Sequence, residues 1–231
     1  MISVVVPVLN EEKYLTSCLA ALAVQSYKDY EVIVVDGGST DRTVEIAEEL
    51  AVRVLSDPRR PAGAARNAGT EVARGEILAF IDADTVASSS WLETIAQNFN
   101  HSQVVGVTGP TLPIDGNGFD QLLYRVSTDY MQRVMVALSL PLFPGFNCAY
   151  RRQPFFEAGG FDESKVLSED TQLSLRLTKL GRTVFDKRML TYTSTRRITE
   201  YGYPYMVTLC ILSALLILLA DKSFSHYPPV R

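Results

Sequence analysis

A chain of 231 residues, 47% hydrophobic and with a formal net charge of −4, has room for one large α/β domain or two small ones. No run of basic residues marks a nucleic-acid footprint. Three scattered cysteines (Cys18, Cys148, Cys210) and two histidines (His101, His226) exclude zinc-ribbon, disulfide-framework and His-rich metal chemistry.

Residues 2–6 read as a buried strand stopped by Pro7, which has no N–H to give a ladder. They are too short for a signal peptide, so the folded part is expected in the cytosol. Asn10-Glu11-Glu12 is expected to open a helix whose inner face carries Leu15, Cys18, Leu19 and Leu22 at i, i+3, i+4 and i+7. A second strand over 32–35 runs into Asp36-Gly37-Gly38-Ser39-Thr40-Asp41, followed by a helix that turns Val44, Ala47 and Leu50 inward. A short strand is expected over 52–55, a helix from Gly63 to near Gly75, and a strand over 77–81. A helix over 91–99 and a strand over 104–108 follow. Strands alternating with helices at this spacing mean crossover units on a parallel sheet.

The strand over 77–81 ends in Asp82-Ala83-Asp84. Its apolar run predicts burial on both faces, and open α/β sheets bind ligands where their strands end. Residues i and i+2 of a strand point the same way, roughly 6–7 Å apart, so the two carboxylates repel unless a cation lies between them. Mg²⁺ or Mn²⁺ carrying phosphate oxygens meets that need, because these ions take few carboxylates from the protein. Residues 7–11, 36–41 and 82–84 all leave strands at this same edge. There Asp36 can accept from a base or ribose, Gly37 and Gly38 admit a flat ring, and Arg66 offers a fork of donors to a base carbonyl or phosphate.

In this order, Pro7-Val8-Leu9-Asn10-Glu11, Asp36-Gly37-Gly38-Ser39-Thr40-Asp41, Ala65-Arg66-Asn67-Ala68-Gly69 and Asp82-Ala83-Asp84 resemble a family 2 glycosyltransferase. Gly159-Gly160-Phe161-Asp162-Glu163 and Ser168-Glu169-Asp170 extend the resemblance to about residue 185. It implies an inverting enzyme of the GT-A fold, an α/β architecture with a mostly parallel central sheet flanked by helices. Residues 1–110 would form the nucleotide-binding half, 111–198 the acceptor half and 199–231 a hydrophobic C-terminal helix and tail. By resemblance, Pro7, Leu9, Glu11, Asp36, Gly38, Arg66, Asp82 and Ala83 would line a UDP- or GDP-linked sugar. Asp84 would hold Mn²⁺ or Mg²⁺, and Asp170 would be the catalytic base with Glu169 contacting the acceptor, or the reverse. No Q-x-x-R-W box follows Glu169-Asp170, which favours one sugar per encounter.

In the acceptor half, Gly145 is expected to let a sugar approach before a strand near residue 150. Asn147 would contact the donor sugar or satisfy its own backbone. Residues 153–158 read as a short helix closed by Gly159-Gly160. Ser168-Glu169-Asp170 starts another that turns Leu173, Leu177 and Leu180 inward. Its macrodipole favours ionised acids in the first turn by roughly 0.3–1 kcal/mol. Arg196-Arg197 would bind the diphosphate, a lipid phosphate or headgroups. Residues 205–220 carry no charge and read as a spanning helix, an in-plane anchor or a subunit contact, with Pro204 breaking any longer helix. Residues 130–143 read as an interfacial or a core helix. These features place the catalytic domain on the cytoplasmic face of a membrane, with a glycan or lipid-linked acceptor. The competing readings are a sugar-phosphate nucleotidyltransferase, which would need a glycine-rich basic loop where Pro7-Val8-Leu9-Asn10-Glu11-Glu12 stands, and a non-catalytic, membrane-tethered nucleotide-sugar binding module.

Overall fold

The structure, a computed structural model, describes residues 1–50, 52–59, 62–165 and 167–205, with 208, 209, 212 and 216. In chain order the first half runs β1 (Ile2–Val8), α1 (Leu15–Ala23), β2 (Tyr30–Asp36), α2 (Thr43–Glu49), β3 (Arg53–Ser56), α3 (Ala62–Val72), β4 (Ile77–Phe80), β5 (Thr85–Ala87), α4 (Trp91–Phe99) and β6 (Val104–Thr108). The second half adds β7 (Thr111–Pro113), α5 (Gly118–Tyr124), a wide-turn π segment (Arg125–Tyr130), α6 (Met131–Ala137) and β8 (Cys148–Arg151). It closes with α7 (Arg152–Glu157), α8 (Glu169–Leu177), β9 (Arg182–Phe185), β10 (Thr191–Thr193) and α9 (Arg196–Tyr201).

Seven strands form one sheet in the order β3-β2-β1-β4-β8-β6-β9, and β5-β10-β7 form a second, smaller one. Every pairing in the large sheet is parallel except those of β8, which lies antiparallel between β4 and β6. The sheet thus passes without a break from the first 110 residues into the rest of the chain. Val4 and Val6 of β1 pack on one face with Leu15, Leu19 and Trp91, while Val5 packs on the other with Phe80, Phe155 and Phe161. Apolar side chains on both faces are what a strand sandwiched between helix layers requires.

Pro7 does not stop β1. It sits within the strand opposite Val35, near the end of the ladder where a missing N–H does least harm. Asn10 opens no helix, since its backbone is left-handed (φ 57°) and α1 begins only at Leu15. Leu15, Cys18, Leu19 and Leu22 are buried as their spacing demands. Leu50 is exposed, because α2 stops at Glu49 and leaves it outside the last turn. Gly159 and Gly160 close α7 with left-handed backbone, and Leu173 and Leu177 face the core. Leu180 lies beyond the end of α8 yet still packs on the core. Near the C-terminus the break falls at Gly202 (φ 76°), and Pro204 lies inside the next helical turn, where its missing N–H has no partner to lose. Most of 205–220 lies outside the described residues, and among the described residues no helix is long and apolar enough to cross a membrane.

Candidate functional site

Because β1, β2 and β4 run parallel, the loops that leave them share one edge, and the first two bind each other. The Asn10 N–H donates to Ser39 Oγ (2.9 Å), while Asn10 Oδ1 accepts from the Thr40 N–H (2.8 Å). The Glu11 N–H donates to Thr43 Oγ1 (2.7 Å). Asp36 ends β2 and accepts from the N–H groups of Gly38 (3.1 Å) and Ser39 (3.0 Å), so its carboxylate shapes its own loop. Gly38 (φ 90°) has open space where a side chain would stand, which leaves its backbone accessible. Pro7 and Leu9 are half-buried beside this loop. The Ala83 methyl is buried in the core, so only its backbone can face a ligand.

The two acids of the 82–84 turn each meet a different arginine. Arg66, on α3, donates from Nη2 to Asp82 Oδ1 and from Nη1 to Glu169 Oε1, both at 2.8 Å. The guanidinium also lies over the Phe161 ring, 5.6 Å from its centre. Burial opposes its charge, but Asp82, Glu169 and Asp170 more than restore it and hold Arg66 above the ordinary arginine range. Gly145 serves this pair rather than a sugar, for a Cβ there would stand 2.8 Å from Arg66 Cζ. The Gly145 N–H in turn donates to Asp170 Oδ2 (2.6 Å), and the Thr171 N–H to Oδ1 (2.7 Å).

Asp84 faces Arg196. The antiparallel pairing of β10 with β5 sets Thr193 opposite Thr85, which carries the next residues of the chain past Asp84. Arg196 Nε lies 2.9 Å from Asp84 Oδ2, and its Nη1 and Nη2 donate to Glu11 at 2.8 and 2.6 Å. The guanidinium covers the Tyr14 ring at 4.9 Å. Burial first, then the charge of Asp82, pushes the Asp84 carboxyl up to about 6, although Arg196 pulls it back. Burial likewise raises Glu169 to about 7, helped by the charge of Asp170 and opposed by Arg66. Asp170 is raised chiefly by burial, against Arg66 and its two backbone donors.

The expectation for Asn147 meets a different arrangement. The residue is fully buried, its Oδ1 accepts from Trp91 Nε1 (2.9 Å), and its Nδ2 donates to the carbonyls of Gly109 (3.0 Å) and Met189 (3.1 Å). With its amide engaged on both sides, Asn147 ties the two sheets together and offers a ligand nothing. Reasoning from sequence missed Arg196 as the partner of Asp84 and Glu11. The paired arginines at 196–197 were the available signal, but only the β5–β10 pairing says which acids they meet.

Asp82 and Asp84 fit a divalent cation by donor chemistry. They supply carboxylate oxygens, as Mg²⁺ and Mn²⁺ prefer, and Asp84 already holds a cationic group in the form of Arg196. Buried acids that resist ionisation gain most from a nearby positive charge.

Among curated proteins, the chain is 33% identical over 136 residues to the glycosyltransferase GlyG of Streptococcus pneumoniae, covering 56% of this chain and 45% of that protein. It is 30% identical over 194 residues to the glycosyltransferase AglE of Haloferax volcanii, covering 78% and 62%. The chain therefore spans only part of the length of these relatives. Among solved structures, the mannosyltransferase PcManGT of Pyrobaculum calidifontis, in complex with GDP-Man and Mn²⁺, is similar with a TM-score of 0.79. That match is 20% identical and covers 96% of this chain and 65% of that one. S. aureus TarS 1–349 in complex with UDP-GlcNAc is similar with a TM-score of 0.72 at 24% identity, covering 93% and 66%. Both confirm an α/β GT-A-like fold with a mostly parallel sheet. Residues 3–157 match the model of Glycosyl transferase family 2, and the chain belongs to that family.

Proposed function

We propose that this chain transfers a sugar from a nucleoside-diphosphate donor, UDP- or GDP-linked, to a hydroxyl of a glycan or lipid-linked acceptor, with inversion and one sugar per encounter. The observation that carries this reading is the Arg66 bridge. It joins Asp82, beside Asp84 in the turn after β4, to Glu169, beside Asp170 at the start of α8. Acids that face a diphosphate and acids that face an acceptor are thereby held in one cluster.

The nucleoside lies along the loops after β1 and β2, against Pro7, Leu9, Glu11, Asp36 and Gly38, with Arg66 and Asp82 below it. Asp84, seconded by Asp82, holds Mn²⁺ or Mg²⁺, which when bound offsets negative charge on the leaving diphosphate. With Asp84 engaged by such a cation, the Arg196 guanidinium would be available to pair with diphosphate oxygens. Asp170 takes the proton of the acceptor hydroxyl, which then attacks the anomeric carbon from the side opposite the diphosphate. Of the two acids on α8, Asp170 suits this role because it is the more exposed, and its two backbone donors favour its ionised form. Glu169, with one oxygen on Arg66, positions that arginine. The catalytic domain would work at the cytoplasmic face of a membrane, with residues 205–220 as its attachment.

Release of nucleoside diphosphate from a panel of UDP- and GDP-sugars with Mn²⁺ tests the reading. Turnover is expected with one donor and lost in Asp84→Asn and Asp170→Asn. Release that persists in both variants would remove these acids from the chemistry.

A further inference from the structure

The helical stretch from α5 through the π segment to α6 has two faces. Tyr124, Thr128, Gln132 and Val136 form the inner line: the Thr128 hydroxyl donates to the Thr111 carbonyl (2.7 Å), Gln132 is buried, and Val136 packs on the core. The outer line is Phe119, Leu122, Val126, Tyr130, Val134 and Leu138, each 49–63% exposed. On an α-helix a spacing of four advances about 40° per step, so the four steps from Leu122 to Leu138 would rotate the line by about 160°. The π segment over Arg125–Tyr130 widens the turn and cancels much of that drift. It keeps the apolar residues outward and Thr128 and Gln132 inward.

One end of the stripe meets the C-terminal segment at Tyr203. Tyr203 packs edge-on against Phe119 (ring centres 5.4 Å apart) and its hydroxyl donates to Asp120. Beyond it the sequence runs from Tyr205 to Ala220 with no charged residue. An apolar face that touches Tyr203, just ahead of a charge-free run from Tyr205 to Ala220 and with tyrosines at the junction, suits the apolar boundary of a bilayer. We infer that the outer face of residues 118–138 is a lipid-contact surface that lies in the bilayer interface. It deepens the membrane attachment proposed for residues 205–220 and is independent of the chemistry at Asp84 and Asp170.

The test uses the full chain carrying Val126→Trp, mixed with phosphatidylcholine–phosphatidylglycerol vesicles whose acyl chains are brominated. Glu48→Trp on α2 is the control, since α2 packs at the β3 edge of the sheet and α6 at the β9 edge. The native Trp91 is fully buried and gives a constant background. Val126→Trp is expected to shift to the blue and be quenched by bromine, with Glu48→Trp unchanged. Vesicle binding without quenching at position 126 would mean that the tail alone attaches, and would overturn the inference. A blue shift that needs no vesicles and grows with protein concentration would make the face a contact between copies, and would overturn it equally. The triple variant Leu122→Gln/Val126→Gln/Val134→Gln changes only exposed side chains and should keep its melting temperature and donor affinity. Its vesicle partitioning should fall roughly tenfold or more; unchanged partitioning would refute a role for this face.

Discussion

Two arginines hold the acids of the 82–84 turn, and they differ in what supplies them. Arg66 comes from α3, is 6% exposed, and sits between Asp82 and Glu169 on a ring of Phe161. Arg196 comes from the segment after β10, is 13% exposed, and sits between Asp84 and Glu11. The first clamp is built into the layer between sheet and helices, with Gly145 packed against its guanidinium. The second is made by one side chain at the start of α9, just past the smaller sheet. A cation fixed in the scaffold organises a site, whereas a cation at its rim can yield its place to another.

The sharpest way to break this contrast is on the acceptor side. Asp170→Asn should lower turnover by about 10²–10⁴-fold, the range for losing a general base, with donor affinity measured by calorimetry unchanged. Next in size is stability. Arg66→Ala strands two acids without their counter-charge and should cost about 3–5 kcal/mol in urea unfolding. Arg196→Ala, at the rim, should cost well under half of that. Equal losses would show that the two clamps are equivalent. A smaller effect follows from Glu169, whose carboxyl is raised by burial from 4.5 to about 7. The folded protein then binds this proton more tightly than the unfolded chain does. Its contribution is complete below about 4.5 and lost as pH rises toward about 7. Urea unfolding in EDTA from pH 4.5 to 8 should show stability falling over that window, and Glu169→Gln should flatten the fall. The smallest expected change is in cation affinity. If Arg196 stands where the metal goes, Arg196→Ala should tighten Mn²⁺ binding by up to about tenfold, read by electron paramagnetic resonance. Weaker binding would instead make Arg196 a support of the site.

Much of the first half was legible because its signals are local. Trp91–Phe99 and Val104–Thr108 fall where apolar periodicity sets them, and the loops after β1, β2 and β4 converge because parallel strands must end together. What escaped depends on pairings distant in sequence. Asn147 looks like a turn residue until β8 is placed between β4 and β6, which buries its amide among Trp91, Gly109 and Met189. Gly145 looks like room for a sugar until Arg66 is seen to fill it. Pro7 illustrates the opposite error. The exclusion of proline from strand interiors relaxes at a strand end, where the ladder tolerates the loss of one donor.

The antiparallel β8 also sets an order of events during synthesis. Strands β1 to β4 can pair once β4 has emerged, yet the outer edge of β4 stays open until Cys148–Arg151 arrives. Through that interval Ile77–Phe80 presents unpaired backbone in a wholly apolar strand, the kind of edge that recruits other nascent chains. The strand that bridges β4 to β6 is thus also the one that covers this apolar edge during synthesis.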